Sequence, residues 1–143
     1  HACEVLSSKR VGALIAIEGR QTLRMIEEGG KPVDALVTAE LLVSIFTPGA
    51  PLHDGAVSIR GGRLAAANAF LPLTATTDLT IAHGTRHRAA IGLSEESDAL
   101  VIVVSEENGS IAVASEGTLQ EDLGPGDLAR LMSARFESNG TAR

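Results

Sequence analysis

Aliphatic residues fall along this chain in short blocks separated by glycine, proline and acidic punctuation, and the spacing inside each block predicts its element. Ala2 to Ser8 reads as a helix, and Gly12 to Ile17 is a continuous apolar run with the length of a buried, central strand. Thr22 to Glu28 predicts a short helix closed by Gly29-Gly30 in the left-handed conformation, followed by a turn through Lys31-Pro32. Thr38 is placed to cap a helix in which Leu41, Leu42, Ile45 and Phe46 recur on one face until Pro48 and Gly49 stop it. That helix reads as core packing only.

Val57 to Arg60 and Leu64 to Phe70 flank Gly61-Gly62, a pair that accepts positive φ at both turn positions, so a β-hairpin is expected. Arg86 to Ser94 reads as a helix, and Ala99 to Val104 is a β-branched run suited to a central strand covered on both faces. Asn108-Gly109 then turns the chain into Ile111 to Ala114. Leu128, Leu131, Met132 and Phe136 trace one face of a last helix with Asp127 available as a cap, and Ser138 to Arg143 look frayed. There is no internal repeat or linker. Strands mixed with helices define an α/β or α+β fold around a mixed sheet, in one domain spanning 1–143 with its core at about 12–136.

Composition narrows the function. Hydrophobic residues are 44% of the chain, enough for a real core, but aromatics are only 2%, so base stacking on an aromatic platform has almost nothing to work with. Twelve cations against 18 acidic residues give a net charge of -6, the wrong sign for neutralising a long phosphate backbone, so nucleic acid is excluded as a partner. All the cations except Lys9 and Lys31 are arginines, which suit forked recognition of a small phosphorylated ligand. Cys3 is the only cysteine, which excludes internal disulfides and fits a reducing, cytoplasmic compartment. No apolar run approaches the roughly 20 residues of a membrane span. Because the chain begins at His1 inside an amphipathic stretch, it reads as a piece of a longer protein whose missing segment could carry an anchor.

Three polar clusters interrupt the aliphatic blocks. In Leu52-His53-Asp54-Gly55-Ala56, Asp54 can ligate a hard cation or accept a proton, His53 can supply a nitrogen ligand, and Gly55 lets a ligand approach the backbone; an Asp-Gly pair is also a common plain turn. In Gly84-Thr85-Arg86-His87-Arg88, a helix start with open N–H groups and two arginines suits a polyphosphate, the alternative being a basic surface turn. His83 and His87 have the spacing of helical metal ligands, but no glutamate lies between them, which discounts a zinc hydrolase. In Ser105-Glu106-Glu107, strand alternation would put Ser105 and Glu107 on one face and Glu106 on the other, with hairpin-edge solvation as the alternative. No Walker-type or dinucleotide glycine loop is present.

In this order, Asp54-Gly55-Ala56, Arg86-His87-Arg88 and Ser105-Glu106-Glu107 after a valine-rich strand resemble the catalytic domain of bacterial and archaeal diadenylate cyclases. The resemblance runs from about Leu14 to Phe136, and its most specific stretches are Thr38 to Leu42, Pro51 to Ala56 and Gly84 to Ala90. Ile45 to Pro48 and Leu71-Pro72-Leu73 resemble the membrane-anchored class, whose cyclase domain follows N-terminal membrane helices.

The resemblance implies a mainly antiparallel sheet flanked by helices, ATP as substrate, cyclic di-AMP as product, Mg²⁺ or Mn²⁺ as cofactor, and a face-to-face homodimer. It implies that Asp54 helps activate the ribose 3′-hydroxyl over a floor of Gly55 and Ala56, and that His53, Asp54 and Glu107 serve the metal. Gly84, Thr85, Arg86, Arg88 and Ser105 would hold phosphates, His87 would order their loop, and Phe70 and Leu71 would line the adenine pocket. Phe70 stands where the family often has Tyr, which removes a hydroxyl contact at the base, and His83 occupies a position that is often aliphatic. The competing expectations are a module that binds ATP or cyclic di-AMP without turnover, and a structural interaction domain, which leaves the three clusters unexplained.

Overall fold

The computed structural model describes residues 1–74 and 84–140, with the side chains of 125 and 135–140 left aside. His83, the side chain of Phe136 and residues 141–143 therefore lie outside the described residues. Among the described residues, five helices and seven strands follow one another as α1 (Ala2–Ser8), β1 (Ala13–Ile17), α2 (Arg24–Gly29), β2 (Lys31–Leu36), α3 (Ala39–Phe46), β3 (Ala56–Arg60), β4 (Arg63–Ala69), α4 (Thr85–Glu96), β5 (Leu100–Val104), β6 (Ile111–Ser115), β7 (Thr118–Gln120) and α5 (Pro125–Gly140).

All strands join one sheet in the order β2-β4-β3-β1-β5-β6-β7. Only β1 and β3 run parallel; every other neighbour is antiparallel, so the sheet is mixed and mainly antiparallel. The chain reaches β3 from β1 through α2, β2 and α3, the long crossover that a parallel pair requires.

Side-chain alternation along β1 builds two cores. Ala13, Ile15 and Ile17 pack with Leu6, Leu42, Phe46 and Leu128, so α1, α3 and α5 cover one face. Leu14 and Ala16 pack with Ala89, Ala90 and Leu93 of α4 on the other. β1 and β5 are buried along their whole length, as continuous apolar runs must be when both faces are covered. Small residues let α4 sit close: an added Cβ on Gly92 would fall inside the carbonyl oxygen of Pro72. The Thr74 N–H donates to the Arg88 carbonyl at 3.2 Å, which ties the segment after β4 to this helix.

Local chemistry sets most boundaries. Thr38 Oγ1 accepts a 3.1 Å bond from the Leu41 N–H and so caps α3, and Gly61 (φ 58) and Gly62 (φ 78) close the β3–β4 hairpin with the positive φ expected of that turn. Asp127 acts from inside α5, its carboxylate accepting from the Gly124 N–H at 3.0 Å.

Several expectations are corrected. Gly30 ends α2 in extended backbone (φ -99), because the chain passes straight into β2 instead of reversing. Lys31-Pro32 is not a turn but the start of that strand, an edge position where a proline without an N–H is tolerated. The three-residue β7 has no counterpart in the sequence pattern, and α5 remains helical through Gly140, past the expected fraying at Ser138.

Candidate active site

Register brings the candidate residues to one end of the sheet. Ala13 pairs with Val104, Ile15 with Val57 and Ala56 with Ala69, so the starts of β1 and β3 and the ends of β4 and β5 lie side by side. The segments leaving these strands at that end carry Gly12, Asp54-Gly55, Phe70-Leu71 and Ser105 to Glu107. The N-terminus of α4 closes the group.

Together they enclose a cavity of about 570 Å³, a size suited to one nucleotide-like ligand. Phe70, Leu71, Leu73, Ala89 and Val103 make an apolar wall, and Asp54, Thr85, Arg86, His87 and Ser105 to Glu107 make a polar one. α4 starts after Gly84, which has no side chain to cap it, and Gly84, Thr85, Arg86 and His87 at this helix end line the cavity, where the dipole favours an anion. Arg86 in that first turn opposes the helix dipole, a position that an anionic ligand would relieve.

Asp54 is held by its backbone. Gly55 has φ +77 and lies so close to β4 that a Cβ there would stand 2.7 Å from the Ala69 carbonyl oxygen. The Asn68 side chain donates a 3.0 Å bond to the Asp54 carbonyl. Asn68 itself has φ 54 and sits where one residue of β3, Val57, lies opposite two of β4, Ala67 and Asn68, a bulge of the kind that re-aims groups beside active sites.

Beside Asp54, His53 Nδ1 donates to the Ala50 carbonyl at 2.8 Å, which leaves Nε2 facing Asp54 Oδ1 at 3.2 Å. His53 thus backs Asp54 and does not line the cavity. Ala56 is buried beneath, packed toward α4.

The basic motif divides. Successive helical residues turn by about 100°, so positions two apart face nearly opposite ways. Arg86 lines the cavity, whereas Arg88 is exposed and turned away from it. Within this cavity the single chain therefore presents one of the two guanidiniums, that of Arg86.

Strand alternation beyond β5 is corrected too. β5 ends at Val104, and Ser105 starts a turn in which its carbonyl accepts from the Gly109 N–H at 2.9 Å and its Oγ from the Glu107 N–H at 3.2 Å. Both Glu106 and Glu107 consequently reach the cavity, and Glu106 Oε2 lies 3.7 Å from Arg86 Nη1. Two contributors, Gly12 and Asn68, were not singled out by the sequence reading. Only Asn68, a polar residue inside an apolar strand and of a type that tolerates positive φ, offered a signal.

The fold and this cavity define an α/β domain with a pocket that is apolar at one side and polar and charged at the other. Residues 1–119 match the family model described as DisA bacterial checkpoint controller nucleotide-binding, the DAC domain, and the chain belongs to that family. Among curated relatives it is 42% identical over 138 residues to the cyclic di-AMP synthase CdaA of Bacillus subtilis, covering 96% of this chain and 50% of that protein. It is 50% identical over 118 residues to the diadenylate cyclase CdaS of Bacillus thuringiensis, covering 82% of this chain and 59% of that one. The chain thus spans little more than half of these relatives. The crystal structure of DacA from Staphylococcus aureus superposes with a TM-score of 0.92 at 40% identity, over 94% of this chain and 90% of that one. A hypothetical membrane spanning protein from Bacillus cereus gives 0.82 at 48% identity, over 86% of this chain and 60% of that one.

Proposed function

We propose that this chain is, as one domain, the catalytic part of a diadenylate cyclase, joining two ATP molecules into cyclic di-AMP with release of two pyrophosphates where two copies meet. The observation that carries the reading is the convergence of Asp54, Arg86 and the Ser105–Glu107 turn on one nucleotide-sized cavity with an apolar opposite wall. Adenine suits the Phe70 and Leu71 wall, and the phosphates suit Thr85, Arg86, Ser105 and the positive end of the α4 dipole. Asp54, whose side chain is 69% exposed, stands at the rim, suited to taking the proton of a ribose 3′-hydroxyl.

The chemistry is two equivalent displacements. Each 3′-oxygen bonds to the other nucleotide's α-phosphorus, its proton leaves to carboxylate or water, and the bond from that phosphorus to the bridging oxygen breaks to release pyrophosphate. One cavity accommodates one nucleotide, so a second copy facing the first supplies the partner, and alignment of the two is the main catalytic contribution. The exposed Phe70 and Leu73 beside the cavity suit burial against that copy.

The donor set fits a divalent cation. With Nδ1 committed to Ala50, the Nε2 lone pair and the Asp54 oxygen repel unless a proton or cation lies between them. His53 and Asp54 would start a site for Mg²⁺ or Mn²⁺, with Glu107 on the cavity wall as a further carboxylate; among the described residues no three His, Cys, Asp or Glu are grouped closely enough to hold a metal by themselves, so phosphate oxygens and water would complete the shell. When bound, the ion would offset triphosphate charge.

The domain is assigned to the cytoplasmic side of a longer, membrane-anchored protein. The Bacillus cereus relative described as membrane spanning supports this, and among the described residues no helix is long and apolar enough to cross a membrane itself.

Purified chain incubated with ATP and Mn²⁺ should yield cyclic di-AMP, read by mass. Asp54→Asn should abolish product while ATP binding is largely kept, since Thr85, Arg86, Ser105 and the apolar wall are untouched and an amide oxygen can still face a cation. ATP binding without product above a heat-killed control would instead support the non-catalytic nucleotide-binding module.

A further inference from the structure

Arg86 lies against the backbone of Gly12, the residue just ahead of β1. A Cβ built on Gly12 would stand 2.5 Å from Arg86 Nη1, 2.7 Å from Cζ and 3.1 Å from Nη2, its three nearest neighbours all belonging to that guanidinium. Gly12 has no positive φ, so its backbone does not require glycine. The missing side chain serves space alone, and the space is filled by the cation that faces the cavity.

Among the described residues nothing else fixes Arg86 as firmly. Its ion pair with Glu106 is long at 3.7 Å, and the Glu106 side chain is 65% exposed, so solvent screens it. Helix α4 places the Arg86 Cα, but an arginine has several rotatable bonds beyond that point. The Gly12 surface is a rigid element, buried and continuous with the central strand.

We propose that Gly12 is a positioning residue, a flat seat that holds the Arg86 guanidinium toward the ligand phosphates. This rests on the diadenylate cyclase reading for the phosphates, though not for the seat. Because the displaced atoms would be the far end of a flexible side chain, Gly12→Ala disturbs Arg86 and not the fold. An ordinary φ means that the added methyl also lowers the freedom of the unfolded chain, so the unfolding midpoint should not drop.

Three measurements test the seat. In ligand-free protein, Gly12→Ala should shift the Arg86 Nε–H NMR signal, assigned by its loss in Arg86→Ala, while backbone amides away from residues 12 and 86 stay in place. Gly12→Ala should lower turnover about a hundredfold, the scale of an ångström misplacement. In an Arg86→Ala background, Gly12→Ala should cause no further loss. An unmoved Nε–H signal, wild-type turnover, or full additivity of the two substitutions would each overturn the seat. If the wild-type chain makes no cyclic dinucleotide, the functional reading fails, and the ligand-free Nε–H signal still decides the role of Gly12.

Discussion

Asn68 and Asp54 are joined by a side-chain to main-chain hydrogen bond of 3.0 Å, which fastens the turn ahead of β3 to the bulge in β4. Asn68 meets two demands at once, a left-handed backbone (φ 54) and a donor aimed at the Asp54 carbonyl. Asn68→Ala should lower stability by about 1 to 2 kcal/mol, combining a lost hydrogen bond with the loss of the short polar side chain that makes asparagine tolerant of left-handed backbone. Asn68→Gly relieves the second part only. Both variants should lose turnover similarly, because both free the Asp54 turn, while urea denaturation should rank Gly above Ala. Equal turnover in Asn68→Gly and wild type would show that the bond does not serve the site.

Gly55 and Gly49 separate backbone strain from crowding. Both have positive φ, +77 and +86, but only Gly55 faces a backbone atom, the Ala69 carbonyl at 2.7 Å from a built Cβ. Gly49→Ala should cost about 1 kcal/mol, the left-handed penalty alone. Gly55→Ala should cost about 2 to 4 kcal/mol, since overpacking against β4 adds to it, and should also displace Asp54. Chemical denaturation of the two variants checks the ranking, and equal losses would refute it.

Glu27 gives a pH dependence with a defined sign. Burial pushes its carboxyl above the usual glutamate range, outweighing the attraction of Arg60; Glu18 adds to the rise. Its Oε2 bonds Arg60 at 2.9 Å, but the buried Oε1 has no partner. A carboxyl with a raised folded pKa holds its proton longer when folded, so its contribution to stability is greatest below the ordinary glutamate range and declines as pH rises through the raised value. The stability difference between wild type and Glu27→Gln should therefore shift against wild type from acid toward neutral pH. Urea titrations across that window test it, and a difference growing in favour of wild type would show that Arg60 dominates.

Elements governed by local rules were legible in the sequence. β1 and β5 announce themselves as unbroken apolar runs, α3 as a capped amphipathic helix, and the β3–β4 hairpin as Gly61-Gly62. β2 was hidden because an edge strand with Pro32 and exposed alternate positions looks like a loop. The Asp54 and Arg86 motifs could be named, but the division of Arg86 from Arg88 needed the helix phase of α4, and the inward reach of Glu106 needed the end of β5. Gly12 was unreadable for a simple reason. Its partner lies far along the chain, and a residue without a side chain carries no pattern of its own.

The two margins of the sheet are poor templates for another strand. One carries Lys31, Pro32 and a left-handed Asp34 (φ 50) in an irregular register, and the other ends in the three residues of β7. Copies of this chain are thereby kept from fusing into a continuous ribbon by backbone pairing. Side-chain surfaces are the better ground for any meeting of two copies, and the guarded margins disfavour growth into fibres.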